Sequence, residues 1–271
     1  MLLRHMRRIA IYGKGGIGKS TTAANISDSL AESGLTVMQI GCDPKADSTA
    51  LLTGKSIPTV LDTIRFNSDR TLDDMVHVGS NGVLCVECGG PRPGTGCAGR
   101  GIIAAFQELD RLGAMDVYHP DVIIYDVLGD VVCGGFAMPI RNGYAHDVFV
   151  VTSGERMSLY AARNISTAVN DFQRDGYAIF RGLIQNSRGI ENEDSIIDSA
   201  AESLGTEVIY RLPRSGTVQS CENINKTVVS GEPDSQMAEC YRELAKRVLD
   251  MSEDVACDPS NGMRTGCDDC E

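Results

Sequence analysis

The chain has 271 residues, of which 42% are hydrophobic and 23% are charged, and it contains no tryptophan. These proportions are typical of a globular protein, and no run of about 18 apolar residues predicts a membrane-spanning helix. The formal net charge of −12 argues against nucleic-acid binding, which requires clustered positive charge. The basic N-terminus lacks an apolar core of secretory length, so we expect a cytoplasmic protein whose ten cysteines are thiols or metal ligands rather than disulfides.

Short apolar runs alternate with helical patterns along most of the chain. The predicted strands are 7–12, 36–41, 83–87, 121–127, 147–153, 180–186 and 207–213. The clearest predicted helices are 19–33, 99–112, 156–175, 193–204 and 234–251. This alternation predicts an α/β fold with a doubly wound, mostly parallel sheet. Since no linker or repeat interrupts it, we expect one domain over 7–250, followed by an acidic, Cys-rich tail at 251–271.

The first predicted strand runs into a glycine-rich phosphate-binding loop. The sequence GKGGIGKS fits the pattern G-x-x-x-x-G-K-[ST], and it lies between a strand and a helix as that motif requires. Backbone N–H groups of such a loop converge on phosphate oxygens, Lys19 is expected to reach the β- and γ-phosphates, and Ser20 is expected to bind Mg²⁺. The predicted nucleotide-binding residues here are Gly13, Lys14, Gly15, Gly16, Ile17, Gly18, Lys19, Ser20 and Thr21.

Lys14 is a second lysine in this loop, and the phosphate cradle does not require it. It has two interpretations: a solvated loop residue, or a catalytic lysine that crosses a dimer interface to the nucleotide of the other subunit. The loop taken alone does not separate them.

Carboxylates follow two of the predicted strands. Asp43 and Asp47 come after the second strand, and Asp126 and Asp130 come at and after the fourth. Because the carboxyl ends of parallel strands line the ligand crevice of such a sheet, we expect these side chains near the phosphates. Asp126 is placed to hold Mg²⁺, Asp43 to orient the attacking water, and Asp47 and Asp130 to sense the γ-phosphate. The alternative for each is an ordinary cap or turn aspartate.

Two cysteines, Cys97 and Cys133, lie among glycines and close to predicted helix starts. Backbone N–H groups and a helix N-terminus favour thiolates and an anionic cluster. A 4Fe–4S cluster takes four thiolates, and a symmetric dimer would supply two from each subunit. The alternative is a pair of buried structural cysteines.

Other cysteines form CxxC pairs, at Cys85 and Cys88 and again at Cys267 and Cys270 in the tail. Such spacing suits a metal or redox pair. Cys85, however, belongs to an apolar strand, so we favour a core role for the first pair, and flexible thiols for the second.

Four motifs together closely resemble the nitrogenase iron protein and its relatives, the reductase subunits of nitrogenase-like enzymes that act on tetrapyrroles. The motifs are KGGIGKSTT, GCDPKADST, GGPRPGTGCAGRG and YDVLGDVVCGGFAMPI, and the resemblance runs from about Arg8 to Asp250. It implies the P-loop NTPase fold with a deviant Walker A motif. It also implies a homodimer that bridges one 4Fe–4S cluster, binds MgATP in each subunit and delivers low-potential electrons to a separate catalytic component.

The resemblance also implies roles for individual residues. Cys97 and Cys133 are then the cluster ligands, and Lys14 reaches across the dimer. Residues 43–47 correspond to a first nucleotide-dependent switch, and residues 126–133, ending on a cluster ligand, to a second. The residues on the adenine side are Asn186, Pro213 and Arg214, and the catalytic component is expected to dock near Cys97, Arg100 and Cys133.

The sequence departs from the nitrogenase iron protein in ways that concern the client enzyme. Cys88 stands where a small hydroxyl residue or alanine is usual, the usual C-terminal extension is replaced by the Cys-rich tail, and TGKSIPTVLDTIRF is closer to the reductase of the methanogen nickel-tetrapyrrole cyclase. We therefore slightly favour a tetrapyrrole reductase over nitrogenase as the client enzyme. Two further hypotheses are a partitioning or cargo-positioning ATPase, which would lack the two cysteine motifs, and an iron–sulfur scaffold.

Overall fold

A computed structural model describes residues 4–90, 98–127, 129, 138–141, 143–174 and 177–257. The strands are β1 (Arg4–Gly13), β2 (Val37–Gly41), β3 (His77–Val78), β4 (Leu84–Glu87), β5 (Val122–Asp126), β6 (Asp147–Thr152), β7 (Ile179–Asn186), β8 (Val208–Leu212) and β9 (Val255–Cys257). The helices are α1 (Lys19–Glu32), α2 (Ala50–Thr53), α3 (Val60–Phe66), α4 (Ala98–Arg111), α5 (Ala114–Tyr118), α6 (Met138–Arg141), α7 (Arg156–Arg174), α8 (Glu193–Ser203), α9 (Gly216–Glu222), α10 (Val228–Gly231) and α11 (Gln236–Met251).

The strands form one sheet in the order β3-β4-β2-β5-β1-β6-β7-β8, and β9 pairs with β1. The neighbours from β4 to β8 are parallel, whereas β3 and β9 pair antiparallel with β4 and β1. All residues of β2, β4, β5 and β6 are buried, as expected for strands covered by helices on both faces. The predicted doubly wound α/β fold is confirmed, and each of the seven predicted strands and five predicted helices is present within a few residues.

Two apolar cores lie on the opposite faces of this sheet. One contains Phe106 of α4 and Ile165 of α7, and the other contains Ile26 of α1 and Leu244 of α11. Each of these helices packs its apolar face against the sheet. This packing fixes the position of the helix N-terminus. The start of α1 is thereby held at the carboxyl ends of the strands.

Residues 253–257 pack against the sheet, although the sequence pattern placed them in the tail. Val255–Cys257 pairs with Arg4–Met6, and the backbone N–H of Glu253 donates to the buried Asp147 carboxylate at 3.0 Å. The Glu253 carboxylate also lies 2.7 Å from the Arg181 guanidinium. A three-residue strand is too short to show a period, which explains why the pattern did not reveal it.

In the described part of the chain, no helix has both the length and the hydropathy needed to cross a bilayer.

Candidate nucleotide site

A cavity of about 450 Å³ opens at the carboxyl ends of the central strands, around the loop that joins β1 to α1. It brings together most of the predicted site residues that the structure describes. Its lining includes Lys14, Gly15, Gly16, Gly18, Lys19, Ser20, Thr21, Asp43, Asp47, Asn186, Pro213 and Arg214. These residues from four separate segments of the sequence therefore face one space, of the size of a small-molecule pocket.

The loop itself is held in shape by its glycines and by Asn186. Gly18 precedes α1 with φ 94°, in the left-handed region that favours glycine. A Cβ at Gly18 would collide with the Asn186 side-chain amide, whose Nδ2 donates to the carbonyl oxygen of Ile17 at 2.7 Å. The loop consequently keeps its backbone close to β7 and presents the N-terminus of α1 to the cavity, an arrangement that favours anions.

Lys19 and Asp126 form the charged centre of the site. The Lys19 ammonium donates to Asp126 Oδ1, and Lys19 Nζ lies 3.4 Å from Ser20 Oγ. Asp126 is fully buried at the end of β5, and its Oδ2 has no hydrogen-bond partner among the described residues. Buried polar atoms normally have a partner, and a carboxylate oxygen beside a serine hydroxyl is the kind of ligand that Mg²⁺ takes, often through water. The donor set therefore fits a magnesium-bound phosphate.

Lys14 differs from Lys19 in its surroundings. Its side chain is exposed at the cavity rim, whereas Lys19 is only 7% exposed. This exposed position at the rim is compatible with a role towards a second chain.

The far end of the cavity is built by the segments after β7 and β8. Arg188 Nη2 donates to the carbonyl oxygen of Gly16 at 2.6 Å, and Arg214 Nη1 donates to the carbonyl oxygen of Arg188 at 3.0 Å. From α1, the Thr21 hydroxyl donates to Glu222 Oε1 at 2.6 Å. Sequence reasoning missed Arg188 and Glu222. The only signal for Arg188 was its position two residues after Asn186, and nothing in the sequence around Glu222 pointed to the cavity.

Asp43 begins the segment that follows β2, and in this structure it shapes a turn. Its Oδ1 accepts from the backbone N–H of Lys45 at 3.0 Å, and its carbonyl oxygen accepts from that of Ala46 at 3.0 Å. Asp43 is half-buried and Asp47 is exposed, and both line the cavity. The turn and the cavity position are compatible, because one carboxylate oxygen of Asp43 remains available.

Glu87, which the sequence analysis did not single out, is a further buried acid at this edge. Its Oε1 accepts two hydrogen bonds of 2.7 Å from Thr49, one from the backbone N–H and one from the hydroxyl. Burial, opposed by the Thr49 hydrogen bonds and reinforced by the nearby charges of Asp126 and Asp47, raises the pKa of Glu87 to about 7.

The proposed cluster ligands Cys97 and Cys133, and also Asp130, lie outside the described residues. Arg100 is exposed in the first turn of α4. Between Asp126 and Cys133, Gly129 is described, and a Cβ there would collide with the carbonyl oxygen of Gly13. Gly129 thus lies directly against the phosphate loop.

Cys85 lies within β4 and Cys88 directly follows it, and both are fully buried. Burial raises the pKa of Cys85 to about 12, which keeps it a thiol and makes it a poor metal ligand. Among the described residues, no three His, Cys, Asp or Glu side chains are grouped so as to hold a metal ion. These observations agree with a core role for Cys85 and Cys88.

Comparison with known proteins gives a match over nearly the whole chain. Residues 7–264 match the model of a family described as 4Fe-4S iron sulfur cluster binding proteins, NifH/frxC family. A protein of Methanospirillum hungatei named nitrogenase iron protein is 54% identical over 249 residues, which are 90% of this chain and 88% of the relative. One of the same name from Methanococcus voltae is 47% identical over 247 residues, 90% of this chain and 89% of the relative.

Solved structures share the fold at much lower identity. The cell division ATPase MinD of Pyrococcus furiosus aligns with a TM-score of 0.68 and 19% identity, covering 91% of this chain and all of MinD. The McdA–ATP complex of Cyanothece aligns with a TM-score of 0.65 and 18% identity, covering 91% of this chain and 97% of McdA. At such identities the likeness concerns the fold alone.

Proposed function

The chain belongs to the NifH/frxC family of 4Fe–4S cluster binding proteins, and from that membership we propose that it is an ATP-dependent electron donor. It acts as a homodimer that bridges one 4Fe–4S cluster, hydrolyses MgATP and passes low-potential electrons to a separate catalytic component. The observation that carries the nucleotide part is the buried pair of Lys19 and Asp126 beside Ser20, in which no residue of the described ranges forms a hydrogen bond with Asp126 Oδ2.

Different residues of the site are assigned to the phosphates, the magnesium ion and the attacking water according to their positions. With nucleotide bound, Lys19 would turn from Asp126 to the β- and γ-phosphates, and Asp126 and Ser20 would hold the magnesium ion that neutralises phosphate charge. Asp43 orients the attacking water, and Lys14 supplies positive charge to the nucleotide of the partner subunit. The charge on the phosphate oxygens changes during hydrolysis, so electrostatic stabilisation by these preorganised groups is the main contribution of the protein.

The segment from Asp126 to Cys133 is proposed to link hydrolysis to the redox site. Gly129 lies against the carbonyl oxygen of Gly13, so a change at the phosphate loop displaces the backbone four residues before Cys133. Cys97 and Cys133 of both subunits would hold the cluster, which supplies a one-electron donor when bound. Arg100, exposed near Cys97 in the sequence, offers a positive charge to the docking partner.

The names of the relatives favour a nitrogenase-type catalytic component as the client. The stretch TGKSIPTVLDTIRF and the Cys-rich tail favour a nitrogenase-like tetrapyrrole reductase instead. Reconstitution of the protein with each type of catalytic component, with dithionite and MgATP, separates the two. Acetylene reduction with the first component and no turnover with the second would exclude the tetrapyrrole client.

The redox role is tested on anaerobically purified protein. We expect about four iron atoms per dimer and an electron paramagnetic resonance signal after reduction. Cys97→Ala and Cys133→Ala should lose the signal, whereas Cys85→Ala and Cys88→Ala should keep it. A colourless wild-type dimer with ATPase activity would instead support a partitioning ATPase, and rapid transfer of the cluster to an apo-ferredoxin would support a scaffold.

A further inference from the structure

Glu87 lies at the carboxyl end of β4, beside the strands that carry the site, and it does not line the cavity. It is the last residue of β4, it pairs in register with Gly41 of β2, and Gly41 in turn pairs with Asp126 of β5. Its side chain is 1% exposed. A Cβ on Gly41 would collide with Glu87 Oε2, so the carboxylate lies directly across the end of β2, from which residues 43–49 emerge.

Both hydrogen bonds of Glu87 go to the far end of that emerging segment. Thr49 donates its backbone N–H and its hydroxyl to Glu87 Oε1, each at 2.7 Å, across 38 positions of sequence. Thr49 is 1% exposed and precedes α2. The bonds therefore fasten the C-terminal end of residues 43–49 to the sheet.

The N-terminal end of the same segment contacts the chain that follows Glu87. A Cβ on Gly90 would lie 2.5 Å from Cβ of Pro44, so the two backbones are in close contact. The backbone N–H of Cys88 also donates to the carbonyl oxygen of Gly41 at 2.9 Å. The chain is thus attached to residues 87–90 at Gly41, Pro44 and Thr49, and Asp43 and Asp47 lie between these attachments.

A carboxylate is an unfavourable choice for a purely structural bond here. In the part of the chain that the structure describes, the buried Glu87 Oε2 has no hydrogen-bond partner, and the nearby charges of Asp47 and Asp126 disfavour an ionised Glu87. Burying a charge among like charges is costly. Unfavourable buried groups of this kind tend to occur at functional sites, where the position of a group matters more than its contribution to stability.

We propose that Glu87 is a positioning residue for nucleotide hydrolysis, which holds residues 43–49 through Thr49 so that Asp43 and Asp47 face the phosphate end of the cavity. The inference rests on the proposed ATPase function. Glu87 acts through Thr49 and has no contact with the nucleotide, so it should affect the rate of hydrolysis more than nucleotide binding.

The test compares Glu87→Ala with Glu87→Gln in the anaerobically prepared full-length protein. The glutamine carbonyl oxygen can accept both bonds from Thr49, whereas alanine accepts neither. In Glu87→Ala we expect kcat for ATP hydrolysis to fall roughly tenfold to a hundredfold, the cost of a misplaced catalytic group, while Kd for MgADP changes less than threefold. Glu87→Gln should keep kcat within about threefold of wild type on the same reasoning.

A second measurement tests the hydrogen bonds between Thr49 and Glu87 without relying on ATPase activity. Hydrogen exchange of the Thr49 amide, measured with MgADP bound, should be at least roughly tenfold faster in Glu87→Ala and near wild type in Glu87→Gln, because one buried bond to that N–H is lost. Asp147→Asn is the matched control. Asp147 is also a fully buried acid that accepts a hydrogen bond from a backbone N–H, but it is the first residue of β6 and so lies at the amino ends of the strands, away from the cavity. Its variant should therefore lower Tm without changing kcat or the exchange rate of the Thr49 amide.

The outcomes are distinguishable from failure of the proposed function. A wild-type protein that hydrolyses no ATP would refute the ATPase proposal, while the exchange rates would still report whether Glu87 holds Thr49. Wild-type hydrolysis with an unchanged kcat in Glu87→Ala would refute the positioning role. So would an equal loss of kcat in the alanine and glutamine variants, because the hydrogen bonds would then not be what matters.

Discussion

Replacement of Lys19 by methionine should destabilise the nucleotide-free protein as well as abolish phosphate binding. Methionine preserves much of the side-chain volume but removes the cation that contacts the fully buried Asp126 carboxylate. Removing one partner of a buried ion pair typically costs about 3–5 kcal/mol, because the remaining charge is left uncompensated. For a chain of this size, each kcal/mol corresponds to about 2–4 °C, so Tm should fall by roughly 6–20 °C.

The measurement is anaerobic thermal unfolding at pH 7.5 without nucleotide and with EDTA. Lys14→Met is the matched control: Lys14 is exposed in the same loop, and its variant should lie within about 0.5 kcal/mol of wild type. The double variant Lys19→Met/Asp126→Asn should recover more than half of the loss, because the orphaned charge is gone. MgADP should raise Tm of the wild type but not of Lys19→Met.

A loss below about 1 kcal/mol in Lys19→Met would refute this reasoning, because exposed ion pairs have that magnitude and buried ones exceed it. It would mean that water reaches Asp126 in the free protein. An equal loss in the single and double variants would show instead that packing of the lysine stem, not charge, accounts for the effect.

Three further predictions concern other parts of the molecule. Lys14→Ala should keep MgATP affinity but lose roughly 10²–10³ in kcat, and wild-type hydrolysis would exclude its role across the dimer. Arg100→Glu should leave the cluster signal unchanged while blocking complex formation with the catalytic component, and unimpaired association in gel filtration with a non-hydrolysable ATP analogue would contradict this. Hydrogen bonds from Arg111, and to a lesser extent from Arg70, lower the pKa of Glu108 to about 2. The ionised Glu108 therefore stabilises the fold above pH 4.5, the ordinary pKa of the group, and this contribution is lost as the pH falls towards 2. Glu108→Gln should therefore lower Tm more at pH 7 than at pH 3, and an equal loss at both values would contradict the ion-pair explanation.

Features of this protein that rest on local chemistry were predictable from sequence. The alternation of apolar runs with helical patterns reflects burial on both faces of a parallel sheet, and it led to seven of the strands and five of the helices. The phosphate loop was predictable because its glycines, Lys19 and Ser20 act within one short segment. Asp126 was predictable because it ends a strand at the edge where such sheets bind ligands.

Features that rest on strand order were decided by the tertiary structure. Glu87 reaches Thr49 because β4 lies beside β2, and Arg188 reaches Gly16 across 172 positions because β7 ends near the phosphate loop. The pairing of residues 255–257 with β1 likewise depends on where α11 ends. The hydrophobic pattern of a sequence shows which face of a helix or strand is buried, but it does not show which distant segments contact each other. Those contacts are fixed by the packing of whole elements, and so the residues that hold this site in place became visible only in the folded chain.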